Sequence, residues 1–234
     1  MPKSMHPRAD DGGDLAALVT ELLEEVSEPP PYPPGHLRVL REAMQLMAER
    51  GYSAASLREL ARRLEMRQPS LYHYFRSKEE LVEQIVRAYT QHAMQPLYEP
   101  PPMPSLAEGL RHGLLHLVEN YRREEHVTFM RFLFAIGPER PQVQSLARRL
   151  LLERGQALVK RFVDFYVEAG ELGADDSAFL VELTQNAVAM RMLSQHVLFG
   201  TDGSTADDDE AFVEFVVDCA LRGVRARMQE AGAA

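Results

Sequence analysis

Cysteine and tryptophan are nearly missing from this chain: of 234 residues, one is Cys219 and none is tryptophan. A single thiol excludes an intrachain disulfide and any four-cysteine zinc site. No apolar run approaches the roughly 18 residues that a membrane span requires, so no membrane partner is expected. The opening stretch MPKSMHPRADDGGD also lacks the apolar core of a secretory signal. A reducing cytoplasm is the expected compartment. There is no alternating segment long enough for a strand, no internal repeat and no glycine-rich phosphate loop. No cofactor and no enzymatic activity are expected.

What is present is a globular composition, 45% hydrophobic and 26% charged, enough to bury a core at this length. The formal charge of −9 argues, taken whole, against a nucleic-acid partner. Its distribution argues otherwise. Residues 36–80 carry nine Lys and Arg against six Asp and Glu, a local +3, which leaves −12 on the remainder. A basic module on an acidic body presents one anion-facing surface and keeps the rest soluble by repulsion; ordinary fluctuation over 45 residues gives the same number.

The pattern is helical almost throughout, so the expected fold class is all-α. Residues 1–13 read as an arm, and Asp14 caps a short acidic amphipathic helix from Leu15 to Val26, expected to pack on protein rather than read DNA. Five prolines in residues 27–35 impose an extended linker. A helix over 36–50 follows, stopped by Gly51. Ser56, Ser77 and Ser105 each precede a glutamate by three residues, the capping-box spacing that opens a helix. Proline recurs five times between Pro96 and Pro104 as a second break. Further helices are expected over 126–136, from Pro141 to Ala169, from Asp175 or Asp176 to Gly200, and over 208–229.

The short unit after Ser56 carries the most information. A helix with Leu57, Leu60, Ala61 and Leu64 inward, a tight turn at Glu65 to Gln68 and a second brief helix make a helix-turn-helix, whose second helix enters the DNA major groove. Stepping that helix at α-helical pitch turns Leu71 and Phe75 inward and Pro69, Ser70 and His73 outward, with Tyr72 and Tyr74 beside them. Hydroxyl and imidazole groups can bond base edges, and phenols suit phosphate oxygens. Lys78 adds charge where the free N–H groups of the next helix already favour phosphate. An amphipathic helix pair in any bundle would show the same periodicity.

The stretch Gly51–Ile85 resembles the DNA-binding signature of the TetR family of transcriptional regulators. Gly51-Tyr52, Ser56, Leu60-Ala61, Leu71-Tyr72, Phe75 and Ser77-Lys78-Glu79-Glu80-Leu81 carry the likeness. The resemblance implies three units: an arm, extra helix and linker over 1–35, a DNA-binding domain over 36–80, and a helical effector-binding and dimerisation domain over 81–234. It implies a homodimer on a palindromic double-stranded operator, usually as a repressor, released by a small effector. It also implies phosphate contacts from Ser56, Tyr72, Tyr74 and Lys78, with bases read from Gln68, Pro69, Ser70 and His73. Four positions depart from the family pattern. Glu65 holds a turn position usually glycine, Arg67 replaces a Ser or Thr cap, Pro69 replaces a small residue, and Tyr74 stands where histidine is frequent. Arg67 joins the DNA-binding set, facing either a guanine edge or a phosphate.

Beyond residue 85 the sequence is less specific. Apolar stripes on 176–199 (Phe179, Leu183, Ala187, Met190, Val197) and 208–229 (Phe212, Phe215, Val216, Cys219, Ala220, Gly223) suit a four-helix interface between two subunits, or internal core. Cys219 is expected to be packed, not reactive. A mainly hydrophobic effector would be lined by Tyr89, His116, Tyr121, Phe129, Met130, Leu133, Phe162, Tyr166, Gln185, Asn186, Met190 and Arg191. Two rival readings stand beside the regulator. One is a helical metal-binding protein or enzyme using His112, His116 and Glu119 at i, i+4 and i+7. The other is a helical interaction protein that does not bind DNA.

Overall fold

The computed structural model describes residues 32–94, 105–137, 139–168, 170, 172–200 and 204–233. The arm, the acidic helix at 15–26, most of the first proline linker and the second proline break lie outside the described residues. Among these residues every regular element is helical, and no helix is long and apolar enough to cross a membrane.

The elements begin with α1 (Pro34–Ala54) and α2 (Leu57–Arg63), followed by a 3-10 segment (Gln68–His73) and α3 (Lys78–Met94). α1 starts two residues earlier than its periodicity suggests because Pro34 takes the first helical position, where its missing N–H is no loss. Gly51, at φ 76°, ends the regular run as expected, and one more turn follows it. Ser56 caps α2 by accepting from the Glu59 N–H at 3.2 Å. α2 closes in a Schellman pair: Met66 N–H to the Ala61 carbonyl at 2.9 Å, and Glu65 N–H to the Arg62 carbonyl at 3.2 Å. Glu65 therefore sits at φ 56°, the left-handed region where glycine is usual.

The chain continues with α4 (Leu106–Arg122), α5 (Glu124–Ile136) and α6 (Pro141–Ala147), then a π-helical stretch (Arg148–Glu153), α7 (Arg154–Glu168), α8 (Ala174–Met192), a second π stretch (Leu193–Leu198) and α9 (Ala206–Ala233). Ser105 accepts from Glu108 N–H at 3.3 Å, so its cap forms. α4 and α5 share a single joint: Arg123, at ψ 127°, is both the C-cap of one and the N-cap of the other. The helix expected from Pro141 onward is helical throughout to Glu168 but widened to π at 148–153. α8 is capped by Gly173, not by Asp175 or Asp176, and no side chain caps it. Asp176 instead pairs with Arg227 at 2.9 Å.

Two hydrophobic cores form. The first joins α1, α2, the 3-10 segment and α3 to Phe129, Phe132, Ile136, Val143, Leu146 and Ala147. The packing of α1 along α5 is the most extensive of any helix pair. The second joins α4, α7, α8 and α9. The seam thus falls well beyond residue 80: α5 and α6, far along the chain, complete the core of the N-terminal unit. Phe129, Phe132 and Ile136 are fully buried there, each contributing about 1.5–3 kcal/mol through burial.

Candidate nucleic-acid interface and helical body

Leu71 and Phe75, at 0% and 2% exposure, pin the recognition segment to the first core. Because the segment is 3-10 rather than α, side chains three apart eclipse. The single outward face expected from α-helical stepping becomes two ridges, Pro69 with Tyr72 and Ser70 with His73. Arg67, Gln68, Pro69, Tyr72 and His73 are exposed and Ser70 is half-buried. Proline at the second position and the 3.0-residue turn make this a short, stiff platform.

Tyr74 is placed differently from Tyr72. Its ring meets His36 edge-on at 5.3 Å, and its carbonyl accepts from Gln84 at 3.2 Å. His36 Nε2 lies 2.8 Å from Gln84 Oε1, so this knot fixes the C-terminal end of the recognition segment to α1 and α3. Ser56 is exposed, and its hydroxyl can still donate outward while accepting at the cap. Lys78 is half-buried. Its ammonium donates to the Tyr52 carbonyl and lies 4.3 Å from the Tyr52 ring centroid. Burial pulls its pKa down, with the Glu139 and Glu79 carboxylates opposing.

The basic count of the module overstates its free charge. Arg63 is held by Glu42 at 3.3 Å and Glu49 at 2.5 Å, and Arg62 by Glu59 at 2.7 Å. The hydrogen bond from Arg62 draws the Glu59 carboxyl down to about 2. Arg58, Arg67 and Arg76 remain exposed with no ion pair among the described residues.

In the body, the structure gathers some of the expected effector-lining residues and disperses others. Tyr89 stacks on Phe129 at 3.8 Å and 15°, and its hydroxyl lies 2.5 Å from His126 Nδ1. Tyr121 meets the same imidazole edge-on at 4.3 Å. Burial pushes the Tyr89 phenol upward and His126 down to about 4. The imidazole tautomer decides which of the two donates, and the other ring nitrogen, Nε2, is buried without a partner. His116 also has a buried, unpartnered Nε2. Met130 packs against both cores, whereas Leu133 belongs with the first. Phe162 and Tyr166 meet at 5.3 Å in the second core. Gly109 is required beneath Phe162, because a Cβ there would come within 1.9 Å of the ring.

Three expected residues leave the set. Asn186 is exposed and Met190 is 60% exposed on the outer side of α8, so neither lines an interior site. Arg191 lies 3.1 Å from Asp209 and 4.9 Å from the Phe212 ring centroid. Asp209, fully buried, also takes Arg122 at 2.6 Å, so Arg191 balances a structural carboxylate. Gln185 is half-buried. Of the histidine cluster, His116 Nδ1 lies 4.0 Å from Glu119, whose other oxygen pairs with Arg123 at 2.9 Å, and no group of three or more His, Cys, Asp or Glu among the described residues is placed to hold a metal ion. His126 is the residue that sequence reading passed over as a lining group. The signal was there, since Phe129, Met130 and Leu133 follow it at i+3, i+4 and i+7.

The stripes expected at a subunit interface also divide. Phe179, Leu183, Met190, Phe215 and Cys219 are exposed, while Val197, Val216 and Ala220 are buried within the subunit. Cys219 is therefore a surface residue, not a packed one.

Comparison with known proteins adds three findings. The sequence profile of the bacterial regulatory proteins, tetR family, matches residues 39–85. The HTH-type transcriptional regulator UidR of Escherichia coli (strain K12) is 25% identical over 166 residues, covering 67% of this chain and 81% of its own. Among solved structures, the flavonoid-responsive regulator FrrA superposes with a TM-score of 0.66 at 23% identity, over 81% of this chain and 96% of its own. A tetR-family transcriptional regulator from Mesorhizobium loti MAFF303099 gives 0.66 at 16%, over 80% and 95%.

Proposed function

Because the chain belongs to the TetR family of bacterial regulatory proteins, we propose that this DNA-binding transcriptional regulator is a dimeric repressor, released from a palindromic operator by a small, mainly hydrophobic effector. The observation that carries the reading is the recognition segment. Its apolar residues are fully consumed by the core, while Arg67, Gln68, Ser70, Tyr72 and His73 are left outward on a rigid platform. Ser70, His73 and Gln68 suit base edges, and Ser56, Tyr72 and Lys78 suit phosphates. Tyr74 contributes at the rim, steadied by His36.

A homodimer through α8 and α9 would cover Phe179, Leu183, Met190 and Phe215 and set two recognition segments in successive major grooves about 34 Å apart. The effector reading rests on the seam between the two cores, where Tyr89, Tyr121 and Phe129 surround His126. A flat aromatic compound with one hydrogen-bonding group suits those groups, and FrrA is described as flavonoid-responsive. An effector that prefers one angle between the cores would shift DNA affinity about 5–150-fold, for a coupling of roughly 1–3 kcal/mol.

The test is selection of bound fragments from sheared source-organism DNA at about 0.15 M salt. Recovery of one inverted-repeat motif is expected. Recovery of no motif, with weak binding at every salt concentration, overturns the reading.

A further inference from the structure

The acidic stretch ahead of α1 has no role in the regulator reading. Between Arg8 and Arg38 the chain carries seven carboxylates and no lysine or arginine. At helical pitch Glu21, Glu24, Glu25 and Glu28 fall at i, i+3, i+4 and i+7 on one face, beside the stripe of Leu15, Leu18, Leu22 and Val26. Like charges so spaced repel one another, so this face gains from cations laid against it. The structure fixes where the stretch enters the fold. Tyr32 packs on the first core, with its ring 4.7 Å from His36. His36 in turn meets Tyr74, at the C-terminal end of the recognition segment, at 5.3 Å. The entry point is thus one imidazole ring removed from that segment. Glu28, four residues before Tyr32, is held within about 14 Å of it by chain length alone. Arg67 and Arg76 bracket the recognition segment, both exposed and without an ion pair among the described residues. Between them Tyr72 is 52% exposed. An open ring flanked by two free guanidiniums complements a leucine stripe flanked by carboxylates.

We infer that the acidic segment, residues 14–28, lies across the recognition segment in the DNA-free protein, with its carboxylates on Arg67 and Arg76 and its leucine stripe on Tyr72, and that DNA must displace it. The inference rests on the reading of this face as the one that meets DNA. It makes the segment a polyanion built into the chain. The tether decides the magnitude. A segment on so short a linker is present at an effective concentration on the order of millimolar. Contacts of only millimolar affinity therefore cover the face about half the time. Affinity for any duplex falls by one plus the ratio of that concentration to the dissociation constant of the contact, about two- to tenfold for constants of roughly 1 to 0.1 mM.

The experiment measures binding of the full chain to a random-sequence 30-base-pair duplex at low salt. Phosphate contacts supply essentially all non-specific affinity, so no operator is needed. Glu21→Gln, Glu24→Gln, Glu25→Gln and Glu28→Gln together are expected to tighten binding about two- to tenfold. With Arg67→Gln and Arg76→Gln in place, the gain from the same four changes should largely vanish. An equal gain in both backgrounds means that the segment repels DNA through its charge alone, and overturns the inference, as does no gain in either. A second readout leaves the face unaltered. The chain has no tryptophan, so Leu22→Trp supplies a single reporter. Its emission should be shielded from acrylamide in the free protein and become open when duplex is added. A reporter that is open throughout, or equally shielded with and without DNA, overturns the inference while leaving the regulator reading intact. Failure of the unaltered chain to bind any duplex overturns both.

Discussion

The two cores of this molecule leave opposite surfaces. The first buries Leu71 and Phe75 of its recognition segment and turns outward arginine, serine, histidine and tyrosine. The second buries a carboxylate, Asp209, together with Thr184 and Gln195, yet leaves aromatic and aliphatic groups in the open. Six of the eight large hydrophobic side chains most exposed among the described residues fall between Phe179 and Phe215. A unit that faces a polyanion must be complete before it meets its partner, because the partner offers no apolar surface. A unit that faces its own copy, as proposed for the second, could defer part of its burial to assembly.

The sharpest way to break that contrast is to charge the open face. Leu183→Glu with Phe215→Glu would bury four unpaired carboxylates in the proposed two-fold interface. Association should weaken by more than a thousandfold, about 4 kcal/mol or more, while the thermal midpoint of the single chain barely moves. Analytical ultracentrifugation reads the first effect and circular dichroism the second. A dimer that survives both substitutions would place the interface elsewhere.

Smaller, and located at the seam, is a dependence on pH. His126 is neutral and buried, with its folded pKa lowered to about 4, against roughly 6.5 when unfolded. Between those values the unfolded chain binds the extra proton. The stability contribution is therefore intact above about pH 6.5 and declines as pH falls toward 4, by on the order of 3 kcal/mol in full. His116 and His196 are lowered too and act in the same direction. Urea unfolding at pH 7.5 and 4.5 should show the decline, and His126→Leu should flatten it. An unchanged slope in the variant would mean that other groups carry the acid sensitivity.

The smallest effect belongs to the turn. Glu65 at φ 56° holds a conformation that costs a non-glycine residue about 1 kcal/mol or more, whereas glycine relieves the strain but loses more chain entropy on folding. Glu65→Gly should stabilise by up to about 1 kcal/mol, a rise of a few degrees in Tm. No change, or a fall, would show that the Glu65 side chain supports the turn.

What could be read in advance follows the range of the interaction. The Ser56, Ser77 and Ser105 caps and the stop at Gly51 are set within five residues of chain, and each stands as expected. The TetR likeness of Gly51–Ile85 was legible for the same reason. The 3-10 character of the recognition segment was not, since the pitch of six residues is set by how Leu71 and Phe75 reach the core. Nor were the π stretches at 148–153 and 193–198. The neutralisation of Arg63 by Glu42 and Glu49, the pairing of Arg191 with Asp209 and the bed of Gly109 beneath Phe162 join residues at least 14 apart, and no periodicity encodes them. The dispersal of Asn186 and Met190 to the outside has the same origin: a stripe tells that a helix has two sides, not which neighbour covers each.

Arg123 deserves a mechanical reading. Two helices that share one residue have no slack between them, so any change in their mutual angle must pass through a single pair of dihedrals. α5, at thirteen residues, is an arm about 20 Å long. A swing of about 5° at this joint would carry its far end nearly 2 Å, about half the reach of an ion pair. A change of angle at Arg123 would be felt most at the far end of α5, close to where Glu139 meets Ser53.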